Sequence, residues 1–494
     1  MKTPLVLAAA LAAALASAEA SGLDLPKNVS DETAACLECH RQYTPGIVYD
    51  WAQSRHAWTK PEAAFDKPAI TRRISAPKPP EAFRGKVVGC FECHGQKTGT
   101  HADTFDHMGF SIHVVVTPKD CETCHPVEVS QYAQGKKANA YDNLAQNALF
   151  SQLVDTVAGG WEWKDPHLVA VRSTPESRWE TCYGCHGTVV TVRGMTKVQT
   201  AMGEIEVPDL ANWPNQGVGR VNPDGSKGAC TSCHARHGFS IEDARHPHTC
   251  SQCHLEPDSP AWNVYRDSKH GNLYEVREAE FDWENVPWVI GRDFTVPTCA
   301  ACHMSLVVDD KNTVLGQRSH DFGARLWVRI FGLPYTHPQP LSGATHTLRN
   351  TDSQPLPTTF DGAPAAQGLL SPEDQASRKV AMTKVCNGCH NRQWIEGHFR
   401  RFDVTVKETD TLVRTATALM REGWKRGVAD PKNPFDEPLE HLWLETWLFY
   451  ANSIRYASAM TGAPDYATFK NGWWNLNNTL KKMEAAVTRE AEKR

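Results

Sequence analysis

The chain has 494 residues, a formal charge of −5 and a hydrophobic fraction of 40%. Without a stripe of clustered Lys and Arg to meet phosphates, this balance argues against nucleic acid as a partner. Beyond the N-terminus no stretch reaches the roughly 18 uninterrupted apolar residues of a membrane helix, so no transmembrane segment is expected.

Residues 1–20 read as a secretory signal peptide: Met1-Lys2, an apolar run from Leu5 to Ala16, and Ala18-Glu19-Ala20 in the A-x-A form that signal peptidase accepts. The run is too short to span a bilayer. The mature chain is therefore expected in the periplasm.

Residues 21–395 are organised by one repeated motif, C-x-x-C-H, at 36–40, 90–94, 121–125, 182–186, 230–234, 250–254, 299–303 and 386–390. The pairs are Cys36 and Cys39, Cys90 and Cys93, Cys121 and Cys124, Cys182 and Cys185, Cys230 and Cys233, Cys250 and Cys253, Cys299 and Cys302, and Cys386 and Cys389. They use all sixteen cysteines, so no thiol is left for a disulfide, a nucleophile or a separate cluster. Zinc ribbons also use C-x-x-C, but a histidine following every pair would then be incidental. A thioredoxin-like redox pair is not expected eight times in one chain. The motif instead predicts covalent c-type haem: two thiols form thioethers with the haem vinyl groups and the histidine ligates the iron. The eight proximal ligands are then His40, His94, His125, His186, His234, His254, His303 and His390.

Eight macrocycles supply a large apolar interior, and sixteen tryptophans suit packing against their flat edges. The fold expected is mostly α: a multihaem cytochrome c with helices and loops wrapped around eight haems. The connections are polar and rich in turn formers. Ala76-Pro77-Lys78-Pro79-Pro80 excludes a helix, and the Gly- and Pro-rich passage from Trp213 to Gly225 reads as a loop, either a wall of a cofactor cavity or a plain surface turn. Twenty-two histidines less the eight proximal ones leave fourteen. Low-spin haems commonly take a second histidine, so about half of these should be distal ligands.

From 396 to 494 the pattern becomes helical and carries no haem motif. Leu412, Val413, Ala416, Leu419 and Met420 mark a one-sided helix. A second is expected from Leu439, behind Pro438, to about Met460, ended by Gly462 and Pro464, and a third from about Trp474 to the C-terminus.

Several local motifs make the chain similar to the octahaem hydroxylamine oxidoreductase family: Cys-x-x-Cys-His-x-Arg-His-x-Phe-Ser at Cys230 to Ser240, Ala244-Arg245, Ser268-Lys269-His270-Gly271, and Pro297 to Met304. The resemblance implies that the fourth haem, on His186, is catalytic with an open distal side, and that the others conduct electrons. It places Asp258 in the distal pocket as proton acceptor. Ser259 stands where the family has a histidine. It further implies a pocket tyrosine at Tyr335 and a C-terminal tyrosine, Tyr466, that crosslinks the catalytic haem of a neighbouring subunit; Tyr450 and Tyr456 read as helix packing. Distal ligands implied are His56, His101, His167, His237, His270 and His320, with a seventh among His107, His113, His398, His441 or a methionine. The expected protein is a periplasmic homotrimer that oxidises hydroxylamine or a related small nitrogen compound and passes electrons to a cytochrome c or quinone-linked partner. The alternatives are the reverse reaction, nitrite or hydroxylamine reduction, and a non-catalytic multihaem carrier.

Overall fold

The computed structural model describes residues 23–200, 202–331 and 333–493. The expected signal peptide lies outside them. About 47% of the chain is helical and the sheets are small, so the protein is mostly α, as its pattern requires.

The helices are short where the motifs are dense. Helix α1 (Asp31–Tyr43) carries the first motif; the Ser30 hydroxyl caps it by accepting from the Thr33 amide, and acidic residues at its start with basic ones at its end suit the helix dipole. Helix α2 (Pro45–Gln53) starts on proline, whose missing N–H costs nothing in the first turn. Between them Leu37, Val48, Trp51, Ala52, Ala57 and Val87 form a small core.

Three antiparallel hairpins interrupt this pattern. β1 (Thr104–His107) pairs with β2 (Phe110–His113), β3 (Gly160–Lys164) with β4 (His167–Val171), and β5 (Thr191–Thr200) with β6 (Gly203–Ala211). The β3–β4 hairpin is exposed on both faces, which is why no period-two burial pattern announced it.

The C-terminal region forms the largest apolar core. Helix α3 (Arg392–Lys425) is capped by Asn391, which accepts from the Trp394 amide, and buries Ile395, Phe399, Phe402, Val413, Ala416 and Met420 along one stripe. Helix α4 (Pro438–Leu444) runs through a π-helical segment, Glu445–Ala451, into α5 (Asn452–Ala459); α6 is Trp473–Lys493. These helices enclose Trp443, Trp447, Ile454, Leu476 and Met483. Arg455 of α5, fully buried, is paired at 2.5 Å with Asp410 of α3, which also accepts from the Thr336 hydroxyl at 3.0 Å. That junction ties the C-terminal helices to the loop carrying Tyr335 and His337.

Candidate haem sites and the pocket beside the fourth motif

Each motif is a single helical turn, so residues i, i+3 and i+4 present two thiols and an imidazole on one side. The histidine amide closes the turn on the carbonyl of the first cysteine: 2.9 Å for His125 to Cys121, 3.0 Å for His234 to Cys230 and His254 to Cys250, and 2.9 Å for His390 to Cys386. All sixteen thiols are free. Five motif histidines have Nδ1 against an oxygen: His40 on Thr44 Oγ1 at 2.8 Å, His94 on the His113 carbonyl at 2.8 Å, His186 on the Ala140 carbonyl at 3.2 Å, His234 on the Ser240 carbonyl at 3.0 Å and His254 on Ser259 Oγ at 3.0 Å. An oxygen at Nδ1 holds the proton there and leaves Nε2 bare for a metal. Free thiol pairs and imidazoles held in this tautomer fit c-type haem.

Thiols from different motifs meet, and their meetings order the sites. Cys36 and Cys90, Cys121 and Cys230, Cys185 and Cys253, and Cys250 and Cys299 each shift the partner's titration, so the two thiols of each pair lie near one another. Electrostatic contact adds Cys93 with Cys124, Cys233 with Cys250, and Cys302 with Cys386. The resulting line runs through the first, second, third, fifth, sixth, seventh and eighth motifs, and the fourth branches from the sixth.

Histidines remote in sequence stand opposite motif histidines. Ring centroids are 6.2 Å apart for His40 and His107, 6.5 Å for His234 and His320, and 6.2 Å for His270 and His390. With metal–nitrogen bonds of about 2 Å on each side, two imidazoles sharing one ion sit at roughly this spacing. His56 is pushed down to about 4 by burial, then by the charges of His125 and His234. Burial, then His94 and Arg236, hold His237 at about 4. His101 is placed differently: it stacks on His113 at 3.6 Å and has Asp103 and Asp120 at 3.4 and 3.3 Å from its two nitrogens. His167 stands at the turn of the exposed β3–β4 hairpin. For His186, His254 and His303 no spare imidazole is in ring contact among the described residues.

Around the fourth motif, the passage from Trp213 to Gly225 is a loop whose glycines lie against the motif backbone. The amides of Val218 and Gly219 donate to the carbonyls of Cys185 and His186 at 3.0 and 3.2 Å, and a Cβ on Gly219 would come within 2.6 Å of the His186 oxygen. On the other side is Asp258. Burial raises the Cys182 thiol and the Asp258 charge adds to it; at Cys185 the neighbouring Cys253 thiol leads and Asp258 again adds. Asp258 is exposed, yet the protein packed around its carboxyl desolvates it and raises its pKa from the ordinary carboxylate value. Next to it stands the Tyr456 phenol, whose pKa burial raises and the nearby Ser259 hydroxyl partly lowers. Ser259 thus stands between Tyr456 and Nδ1 of His254, linking the fourth site to the sixth.

Arg329 completes the surroundings. Its charge reaches His186, Tyr456 and His337. His337 donates from Nδ1 to the Pro338 carbonyl at 2.7 Å and leaves Nε2 buried without a hydrogen bond; burial, then Arg329, push it down to about 3. Arg329 and His337 line a narrow recess together with Asn147 and Phe331. Tyr335 lies in the C-terminal core, its hydroxyl bonded to the Phe360 carbonyl at 2.9 Å and Thr417 Oγ1 at 3.0 Å. Tyr466 is also enclosed, 2% exposed, packed on Val264 and Ala457 and bonded to Asn471. Tyr456, Arg329 and His337 carry no local motif and are brought to the site by tertiary packing.

A family model described as "Seven times multi-haem cytochrome CxxCH" matches residues 219–316, and one for cytochrome c554 and c-prime matches 120–207. The chain is 29% identical over 292 residues to a probable nitrite reductase-hydroxylamine oxidoreductase fusion protein of Kuenenia stuttgartiensis, covering 54% of this chain and 25% of that one. It therefore spans about a quarter of that relative's length. A solved structure described as a hypothetical multiheme protein is 40% identical over 98% of this chain and 99% of that chain, with a TM-score of 0.89. The reducing HAO-like protein complex of Kuenenia stuttgartiensis shares the fold, with a TM-score of 0.58 at 17% identity over 94% of this chain and 86% of that one. No helix among the described residues is long and apolar enough to cross a membrane. With its haem-binding turns built as c-type sites, and with a 40%-identical multiheme protein matched over nearly its whole length, the chain belongs to the multihaem cytochromes c.

Proposed function

We propose that this protein is a periplasmic octahaem oxidoreductase that acts on hydroxylamine or a related small nitrogen compound at the haem of Cys182–His186, with the other seven haems exchanging electrons with a cytochrome c or quinone-linked partner. The observation that carries the reading is the asymmetry between sites. His40, His94, His234 and His390 have another imidazole in ring contact, whereas His186, like His254 and His303, has none among the described residues, and the fourth motif has beside it a carboxyl of raised pKa, a phenol and a guanidinium. A haem held there supplies an exchangeable coordination position and a route for electrons. Asp258 holds a proton to higher pH than an ordinary carboxyl and can deliver it to the substrate oxygen; Tyr456 and Ser259 stand between it and His254. Arg329 offers fixed positive charge for an N–O oxygen.

The reductive direction is the reading that the geometry favours. Tyr466, expected to crosslink a neighbouring subunit's haem in an oxidative enzyme, is enclosed by its own chain and engaged by Asn471. Hydroxylamine reduced to ammonia and water takes up two electrons and two protons, which suits a protonated Asp258. The names of the nitrite reductase-hydroxylamine oxidoreductase fusion protein and of the reducing HAO-like complex agree with this class of chemistry. The test is carbon monoxide binding to the reduced protein, followed by ammonia production from hydroxylamine with a reduced dye as donor. Binding at the fourth haem with turnover is expected; a protein in which no haem takes up carbon monoxide is an electron carrier.

A further inference from the structure

The chain repeats a second, shorter pattern that the haem motifs conceal: Trp51-Ala52-Gln53-Ser54-Arg55-His56-Ala57, Tyr132-Ala133-Gln134-Gly135-Lys136-Lys137-Ala138 and Tyr265-Arg266-Asp267-Ser268-Lys269-His270-Gly271. Each has an aromatic residue, then three positions on a small residue, a cation, a nitrogen-bearing side chain and another small residue. The structure treats the three alike. Trp51, Tyr132 and Tyr265 are buried, and so are Ala57, Ala138 and Gly271. Each segment lies at the end of one helix, Pro45–Gln53, Pro126–Gln134 or Ala261–Arg266. In the first and third copies the nitrogen-bearing residue faces a motif histidine, His56 toward His125 and His270 toward His390 at 6.2 Å. In the second copy the corresponding residue is Lys137, and its Nζ stands 2.9 Å from Nε2 of His254.

We infer that the Lys137 amine is the axial ligand opposite His254, so that the sixth haem has one imidazole and one primary amine. Three further observations agree. The Nδ1 of His254 is already engaged by Ser259, so Nε2 is its metal-binding atom, and Lys137 addresses that atom. His254 has no spare imidazole in ring contact among the described residues. Lys137 forms no ion pair with a carboxylate among the described residues; its other neighbour is the ring of Phe322 at 5.6 Å. The flexible four-carbon stem lets the amine withdraw by the distance that an intervening iron needs. On coordination the ammonium loses one proton to solvent and the neutral amine donates its lone pair; no electron moves. The amine thus sits at the junction from which the fourth motif branches.

The test is near-infrared magnetic circular dichroism and electron paramagnetic resonance on the haem-loaded, oxidised protein, with carbon monoxide stoichiometry on the reduced protein. Wild type should show one histidine/amine haem per chain. Lys137→His should convert that signal into an additional bis-histidine haem without changing carbon monoxide uptake. Lys137→Ala should lose the signal and bind carbon monoxide at one haem more than wild type. Absence of a histidine/amine signal in wild type overturns the inference. So does a Lys137→Ala protein with full haem content, an unchanged spectrum and unchanged uptake. If Lys137→Ala does not accumulate, the wild-type spectrum compared with Lys137→His decides. Failure here leaves the fourth site untouched, because its carbon monoxide binding is read separately.

Discussion

His270, on the helix Lys269–Arg277, and His390, in the turn that follows Pro372–Cys386, face each other with ring centroids 6.2 Å apart. This relationship predicts the ligation of the eighth haem. In His270→Ala the thioethers of Cys386 and Cys389 should keep the haem attached while its iron loses a ligand. Carbon monoxide uptake by the reduced protein should rise by one haem per chain; unchanged uptake would mean that His270 is not the ligand. His107→Ala and His320→Ala should behave alike at the first and fifth haems.

Asp258 is the predicted proton donor at the fourth site. Asp258→Asn should lower hydroxylamine turnover by about 10²–10⁴-fold while leaving carbon monoxide binding intact. Tyr456→Phe should cost less, since the carboxyl remains. Because desolvation raises the Asp258 pKa, its protonated form persists above the ordinary carboxylate range, and reductive turnover should fall as pH rises through that raised value. A wild-type rate profile without that limb, or one retained in the Asn variant, would remove Asp258 from the role.

His101 should behave as a clasped imidazolium. Burial disfavours its charge, but the Asp103 and Asp120 carboxylates beside its two nitrogens outweigh this and raise it to about 9. Since the unfolded value is about 6.5, its contribution is fully present below that pH and is lost as pH rises through about 9. The loss of stability in His101→Gln should therefore be larger at acid than at alkaline pH, with a difference of roughly 1–3 kcal/mol. Thermal melts across that range test it. The variant should add no carbon monoxide-binding haem; if it does, His101 is a ligand.

The Arg455–Asp410 pair predicts a large effect away from any haem. Asp410→Ala leaves a fully buried guanidinium without its counter-ion and should destabilise by about 3–5 kcal/mol, read as a lowered Tm. Replacing both partners with apolar residues should cost less than the single change. Equal losses would place the effect in packing.

Gly219 is confined by the fourth motif, with the His186 carbonyl 2.6 Å from where a Cβ would stand. Gly219→Ala should push that turn aside, reducing haem retention at Cys182 and Cys185 when peptides are mapped by mass, with the other sites intact.

The sequence by itself determined the cofactor chemistry, because two thiols and an imidazole needed by one haem lie within a single helical turn and local geometry places them. It also determined the mostly helical class and the C-terminal helices, whose apolar stripe at Val413, Ala416 and Met420 is read directly from periodicity. The tertiary structure decided what lies opposite each site. His107 faces His40, Lys137 faces His254, and His101 turns to two aspartates, although nothing in their immediate neighbours distinguishes them. It likewise enclosed Tyr335 and Tyr466 in apolar cores and brought Tyr456 to Asp258 and Ser259. The physical reason is that a proximal ligand is tied to its thiols by the backbone, whereas a distal ligand or pocket acid is chosen by the packing of helices far apart in the chain.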